Sequence, residues 1–152
     1  SRSTAQPPGH SMRWLPSSLA LLLVLGCAQA PQQGVPGGLG GVVWQLVKFQ
    51  GGDGKVLTPA GEKYTLEFGA DGRVRARVAC NRGSGSFKTD GRSQIEFGAM
   101  AVTRAMCPPG AMDMHDHVLK QLPHIRSYVI RGGRLYLALM ADGGIYEFEP
   151  AR

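Results

Sequence analysis

The sequence has no long apolar run, no recognisable catalytic signature and little cysteine, and each gap narrows what it can be. The longest apolar stretch, Leu19 to Leu25, is far below the ~20 residues needed to span a bilayer as a helix. G-x-S-x-G, H-E-x-x-H, C-x-x-C and P-loop patterns are all absent, so no familiar nucleophile elbow, zinc helix, redox pair or phosphate cradle is written in the chain. Net charge is modest as well. The formal +6 falls to +4, with 15 basic against 11 acidic residues, once the residues before Cys27 are set aside. Nucleic-acid binding calls for a concentrated basic patch with interleaved aromatics, and only Arg73, Arg75 and Arg77 cluster. Their spacing of two puts them on one strand face, which reads as a solvated face before it reads as an anionic-lipid contact. What the chain has in quantity is turn residues: 22 glycines and 10 prolines in 152 residues. They imply one modest domain of short strands and tight turns.

The front of the chain reads as an address. Met12-Arg13 precedes an apolar core and small residues, the layout of a secretory signal peptide, so residues 1–27 are expected to be an upstream extension and leader starting at Met12. Val24-Leu25-Gly26-Cys27 is similar to the lipobox of bacterial lipoproteins, which implies lipidation of Cys27. A doubly or triply acylated cysteine anchors stably. Ala28 after it, with no Asp, resembles lipoproteins that travel to the outer membrane and face the periplasm. The alternative is cleavage after Ala28-Gln29-Ala30 and a soluble periplasmic protein. Residues 28–41, rich in Gly, Pro and Gln, are expected to be a flexible tether, with the folded domain at 42–150.

Within that domain, Val42 to Phe49 is apolar on both parities and predicts a buried strand. Tyr64 to Phe68 alternates, Asp71-Gly72 turns the chain, and Arg73 to Ala79 alternates again. Asn81 to Gly85 reads as a glycine-rich loop, followed by strands around Phe87 and at Ile95 to Phe97. Pro108-Pro109-Gly110 introduces a helix from about Ala111 to Leu122, with Met114, Val118 and Leu122 on one face and His115 and Leu119 beside them; Pro123 stops it. Strands at Ile125 to Arg131, Arg134 to Met140 and Ile145 to Phe148 complete the domain. LYLALMADGGIYEFE loosely echoes YTLEFGADGRVRARV. The fold class is α+β: a mainly antiparallel meander curling into a partly open, cracked barrel capped by one helix.

The ordered set Trp44-x-Leu46, Tyr64-x-Leu66-x-Phe68, Asp71-Gly72-Arg73-Val74, Cys80-Asn81, Gly85-Ser86-Phe87, Thr103-x-x-Met106-Cys107-Pro108, Leu135-x-Leu137 and Gly144-x-Tyr146-x-Phe148 resembles the META-domain family, an HslJ-like group of bacterial envelope proteins. The resemblance runs from Trp44 to Glu149 and implies a small envelope domain linked to heat stress and antibiotic tolerance, without an established catalytic activity. His115 stands where the family is more often acidic.

Outside the leader, Cys80 and Cys107 are the only cysteines, and in an exported protein two such cysteines most simply pair. A loop of that size stabilises by about 3.5 kcal/mol on the chain-entropy estimate. A reactive thiol, with His115 or His117 as base, would need the nucleophile left free. Met112, Met114 and His117 are the candidate ligands for copper(I), the alternative being a copper-binding envelope protein, although Met114 on the core stripe reads first as packing. Trp44, Phe68, Phe87, Phe97, Tyr128 and Phe148 could line an apolar pocket or fill an ordinary core. The expectation is a monomeric, non-catalytic binding protein with no cofactor and no nucleic-acid partner. It would be held to the membrane by its lipid and would engage another envelope protein or a small apolar ligand.

Overall fold

Alternating apolar residues between tight turns build nearly all of the structure. The computed structural model describes residues 3–5, 8–9 and 34–152; the leader, Cys27 and the first part of the expected tether lie outside the described residues. The strands are β1 (Val43–Gly51), β2 (Val56–Leu57), β3 (Tyr64–Phe68), β4 (Arg73–Val78), β5 (Asn81–Thr89) and β6 (Ile95–Val102). After helix α1 (Met112–Gln121) come β7 (Ile125–Arg131), β8 (Arg134–Leu139) and β9 (Gly144–Pro150). All named strands pair antiparallel, in the order β6-β5-β4-β3-β1-β9-β8-β7, with β2 added to β1. The β3–β4 turn shows the local chemistry: Gly72 takes φ 75°, and Asp71 Oδ1 accepts the Arg73 N–H at 3.0 Å, as an Asp-Gly hairpin turn should.

The two ends of the sheet, β6 and β7, approach without zipping. Among the described residues they are joined by a single bridge, Gln94 to Ser127, and a bond from the Tyr128 N–H to the Ser93 carbonyl at 2.8 Å. The sheet is therefore a curled half-barrel, parted along the rest of β6. Helix α1 lies against it through Met114, His115 and Val118, the face expected from the spacing. Tyr64 Oη donates to the Ala111 carbonyl at 3.0 Å, which fixes the start of the helix. Asp113 in the first turn and Lys120 in the last complement the helix dipole. Pro123 ends the α-helix, and Leu122–His124 tighten into a 3₁₀ turn.

Three expectations need correction. The packed part begins before residue 42: Leu39, inside the segment expected to be a tether, is fully buried, its carbonyl accepts the Trp44 indole N–H at 3.0 Å, and Gly40 bridges to Phe68. Gly37 lies so close to Tyr128 Oη that a Cβ there would collide with it. Asn81 to Gly85 is strand, not loop: the segment pairs with β4 on one side and, from Gly83, with β6 on the other. The glycines are there for space. A Cβ at Gly85 would sit 2.8 Å from the Ala99 carbonyl oxygen and 3.2 Å from Met100 Sδ. Finally, β6 runs on to Val102 because a bulge between Gly85 and Phe87 flips its parity. Ile95 and Phe97 face inward before the bulge, and Met100 and Val102 are the more sheltered residues after it.

Candidate functional site

The parting of the barrel holds a cleft of about 530 Å³, within the range of small-ligand sites. One wall is the end of β6, with Gly98, Met100 and Val102, continuing into residues 103–106. The facing wall is α1 and the turn after it, with Met112, His115, Leu119, Leu122 and Pro123. Asn81 lies between them. The lining is mostly aliphatic and thioether, with Arg104 as its one lysine or arginine.

Asn81 and His115 are the buried polar residues among those described, 1% and 7% exposed, and they are bonded to each other. Asn81 Oδ1 accepts the Thr103 hydroxyl and the Ala105 N–H, both at 2.8 Å. Asn81 Nδ2 donates to the Ala105 carbonyl at 2.9 Å and to His115 Nε2 at 3.0 Å. An amide nitrogen can only donate, so His115 Nε2 is an acceptor and its proton sits on Nδ1. That N–H faces Asp116 Oδ1 at 2.9 Å. Both ring nitrogens are engaged, and the amide uses both lone pairs and both hydrogens. The hub pins the 103–105 wall of the cleft to the start of β5 and to the helix.

A corner beside the hub is strained. Ala79 begins the two-residue β4–β5 turn at φ 55°, a region that costs an L-residue of this type roughly 1–2 kcal/mol, yet it is fully buried. Next to it, Cys80 is joined to Cys107 in a disulfide with Cα atoms 5.5 Å apart. The expected pairing is present and its sulfurs hold the same wall that Asn81 holds.

The other sequence candidates are dispersed. Met114 is buried in the core. His117 packs at a tilt against Phe49, ring centroids 4.4 Å apart, with Nδ1 2.8 Å from Tyr146 Oη. Only Met112 of the soft-metal set reaches the cleft, so the three do not form a site together. Burial pushes the His117 imidazole below its usual range, with Lys120 adding to the effect, and burial pushes the Tyr146 phenol well above its own. Of the two roles open to the six aromatics, the core is the one they take: Trp44, Phe68, Phe87, Phe97, Tyr128 and Phe148 are all buried, and Phe68 meets Phe87 edge-on at 4.9 Å. None borders the cleft; Phe148 borders a crevice of about 10 Å³, and Phe87 and Phe97 a separate, more polar hollow of about 210 Å³. Sequence reading named Asn81 only as a landmark and passed over Met100 and Leu122 as cleft residues. The available signal was parity: Asn81 is the one polar residue in the inward row that continues through Gly83, Gly85 and Phe87.

Comparison with known proteins places these features. The family model of the META domain matches residues 38–152, starting one residue before the buried Leu39. An NMR structure of a protein from Burkholderia xenovorans superposes with a TM-score of 0.63 at 23% identity, covering 92% of this chain and 99% of the other. A crystal structure of a DUF4847 family protein from Bacteroides vulgatus superposes with a TM-score of 0.51 at 16% identity, over 73% of this chain and 93% of the other. At these identities the likeness is one of fold. No curated protein matches the sequence.

Proposed function

Since the chain belongs to the META-domain family, we propose that it is a non-catalytic binding module of the cell envelope, held to the outer membrane by an acylated Cys27, which supports stress tolerance by taking an apolar ligand into the cleft between β6 and α1. The observation that carries this reading is the cleft itself, about 530 Å³ with mainly aliphatic and thioether walls around one satisfied polar hub. Methionine side chains such as Met100, Met106 and Met112 adapt to ligands of varied shape. Several features favour binding over turnover. Cys80 and Cys107 are joined to each other, His115 has both nitrogens committed, and His117 faces Tyr146 and Phe49 rather than the cleft.

Native mass spectrometry of the protein purified from its own membrane tests both halves. The expected species begins at Cys27, carries acyl mass and retains a non-covalent apolar ligand. Leu119→Trp, which fills the cleft from the helix side, is expected to melt like wild type and to lose that ligand. Retention of the ligand by the variant would sink the cleft assignment. An unacylated chain cut after Ala30 would remove the anchor and leave a soluble periplasmic domain.

A further inference from the structure

We propose that the outer face of β4 and β5 is a docking surface for an anionic phospholipid bilayer. Arg73, Arg75 and Arg77 point outward along β4, and the strand register sets Arg82 of β5 directly opposite Arg77. Like charges opposite one another in a sheet are destabilising, so a guanidinium pair in register is an arrangement that folding alone disfavours. All four arginines are exposed. Their neighbours in register on β5 are Ser84 and Ser86, and on β3 the only carboxylate is Glu67, opposite Arg75.

None of these four guanidiniums is ion-paired among the described residues. Arg73 Nη2 donates to Ser84 Oγ at 3.0 Å, and Arg77 Nε donates to the Ala79 carbonyl at 3.2 Å. The contrast lies further along the same outer face, on β1, β9 and β8. There Arg134 sits 2.7 Å from Glu147 and 3.5 Å from Glu149, and Lys48 is 3.6 Å from Glu147. The Arg134 guanidinium holds the Glu147 carboxyl below its usual range. Basic residues on β1 and β8 are neutralised by the carboxylates of β9, while those on β4 and β5 are left bare.

Strand geometry makes the bare face a dense array, with same-face arginines about 7 Å apart along a strand and about 5 Å apart between strands. Guanidiniums recognise phosphate oxygens in a bidentate fashion. The outward residues of this face, Arg73, Arg75, Arg77, Arg82, Ser84 and Ser86, include no aromatic, so bases have no platform to stack on, and among the described residues these strands carry no helix on that face to enter a groove. A sheet face of positive charge without aromatics fits the headgroup layer of a membrane. The proposal is independent of the cleft and of the acyl anchor.

The test uses the full chain carrying Cys27→Ser, so that no acyl group contributes, sedimented with phosphatidylglycerol-containing vesicles and with neutral phosphatidylcholine vesicles. Partition onto the anionic vesicles should exceed that onto neutral ones and fall as salt is raised. Arg82→Gln should lower it about fivefold, and the triple change Arg75→Gln, Arg77→Gln and Arg82→Gln roughly a hundredfold. The charge-matched triple Arg92→Gln, Arg131→Gln and Arg152→Gln should leave it within about twofold, since those charges lie away from the face. Equal losses in the two triples, equal partition onto neutral vesicles, or duplex DNA displacing the protein from the vesicles would each overturn the proposal. The single Arg82→Gln variant keeps the test decisive if the triple variant melts early.

Discussion

Asn81 has no hydrogen-bonding capacity to spare, so the residue facing it must accept. His115 does so through Nε2, and a carboxylate oxygen at that position would serve as well. His115→Leu leaves one Asn81 N–H buried and unpaired and is expected to cost about 1–3 kcal/mol. His115→Glu restores an acceptor and should recover most of that loss in thermal or urea melts; equal destabilisation by the two would remove the acceptor argument. His117 makes a prediction in pH. Its folded pKa lies below the unfolded value of about 6.5, so the stability it contributes is complete above that value. It is lost as pH falls through the lowered folded pKa, because the unfolded chain takes up the proton more readily. His117→Phe should flatten melting temperature against pH across that window. An unchanged slope would assign the acid sensitivity to other groups.

At the scale of elements, much was legible because alternation is a local signal. Tyr64, Leu66 and Phe68 face inward as written, as do Val74, Ala76 and Val78, and the helix buries the Met114 and Val118 stripe. Other elements were hidden for identifiable reasons. Leu39 is a single apolar residue among glycines, without a period to reveal it. Gly83 and Gly85 have turn composition but lie in a strand, because Met100 and the Ala99 carbonyl of the neighbouring strand leave no room for a Cβ. Residues 98–102 lose their alternation at a bulge that no sequence pattern marks. The candidate site inherits all of this. Its helical wall was legible, while its β6 wall depended on the two misread stretches. The disulfide spans that second wall. Reduction should lower stability by about 3.5 kcal/mol on the chain-entropy estimate and weaken ligand retention in the cleft, since residues 103–105 would then be held only by their hydrogen bonds to Asn81 and Arg82. Melting with and without reductant, at matched pH, measures the first effect. An unchanged melting temperature would place the wall's stability elsewhere.

Seen whole, the domain divides its outer and inner surfaces by chemistry. Aromatics fill the closed part, thioethers and aliphatics line the parting, paired charges cover β1, β8 and β9, and unpaired arginines cover β4 and β5. The plan also orders the events of folding. Strand β1 lies between β3 and β9, and its register with β9 runs from Trp44↔Pro150 to Gly51↔Gly144. The first long strand of the domain is thus completed by the domain's last. Until residues 144–150 emerge, β1 keeps one bare edge and the barrel cannot close, so local hairpins such as β3–β4 can form early while the domain as a whole cannot. The domain therefore stays open until its own last strand has been made, and an open chain is the state in which a polypeptide can still be threaded through a narrow pore.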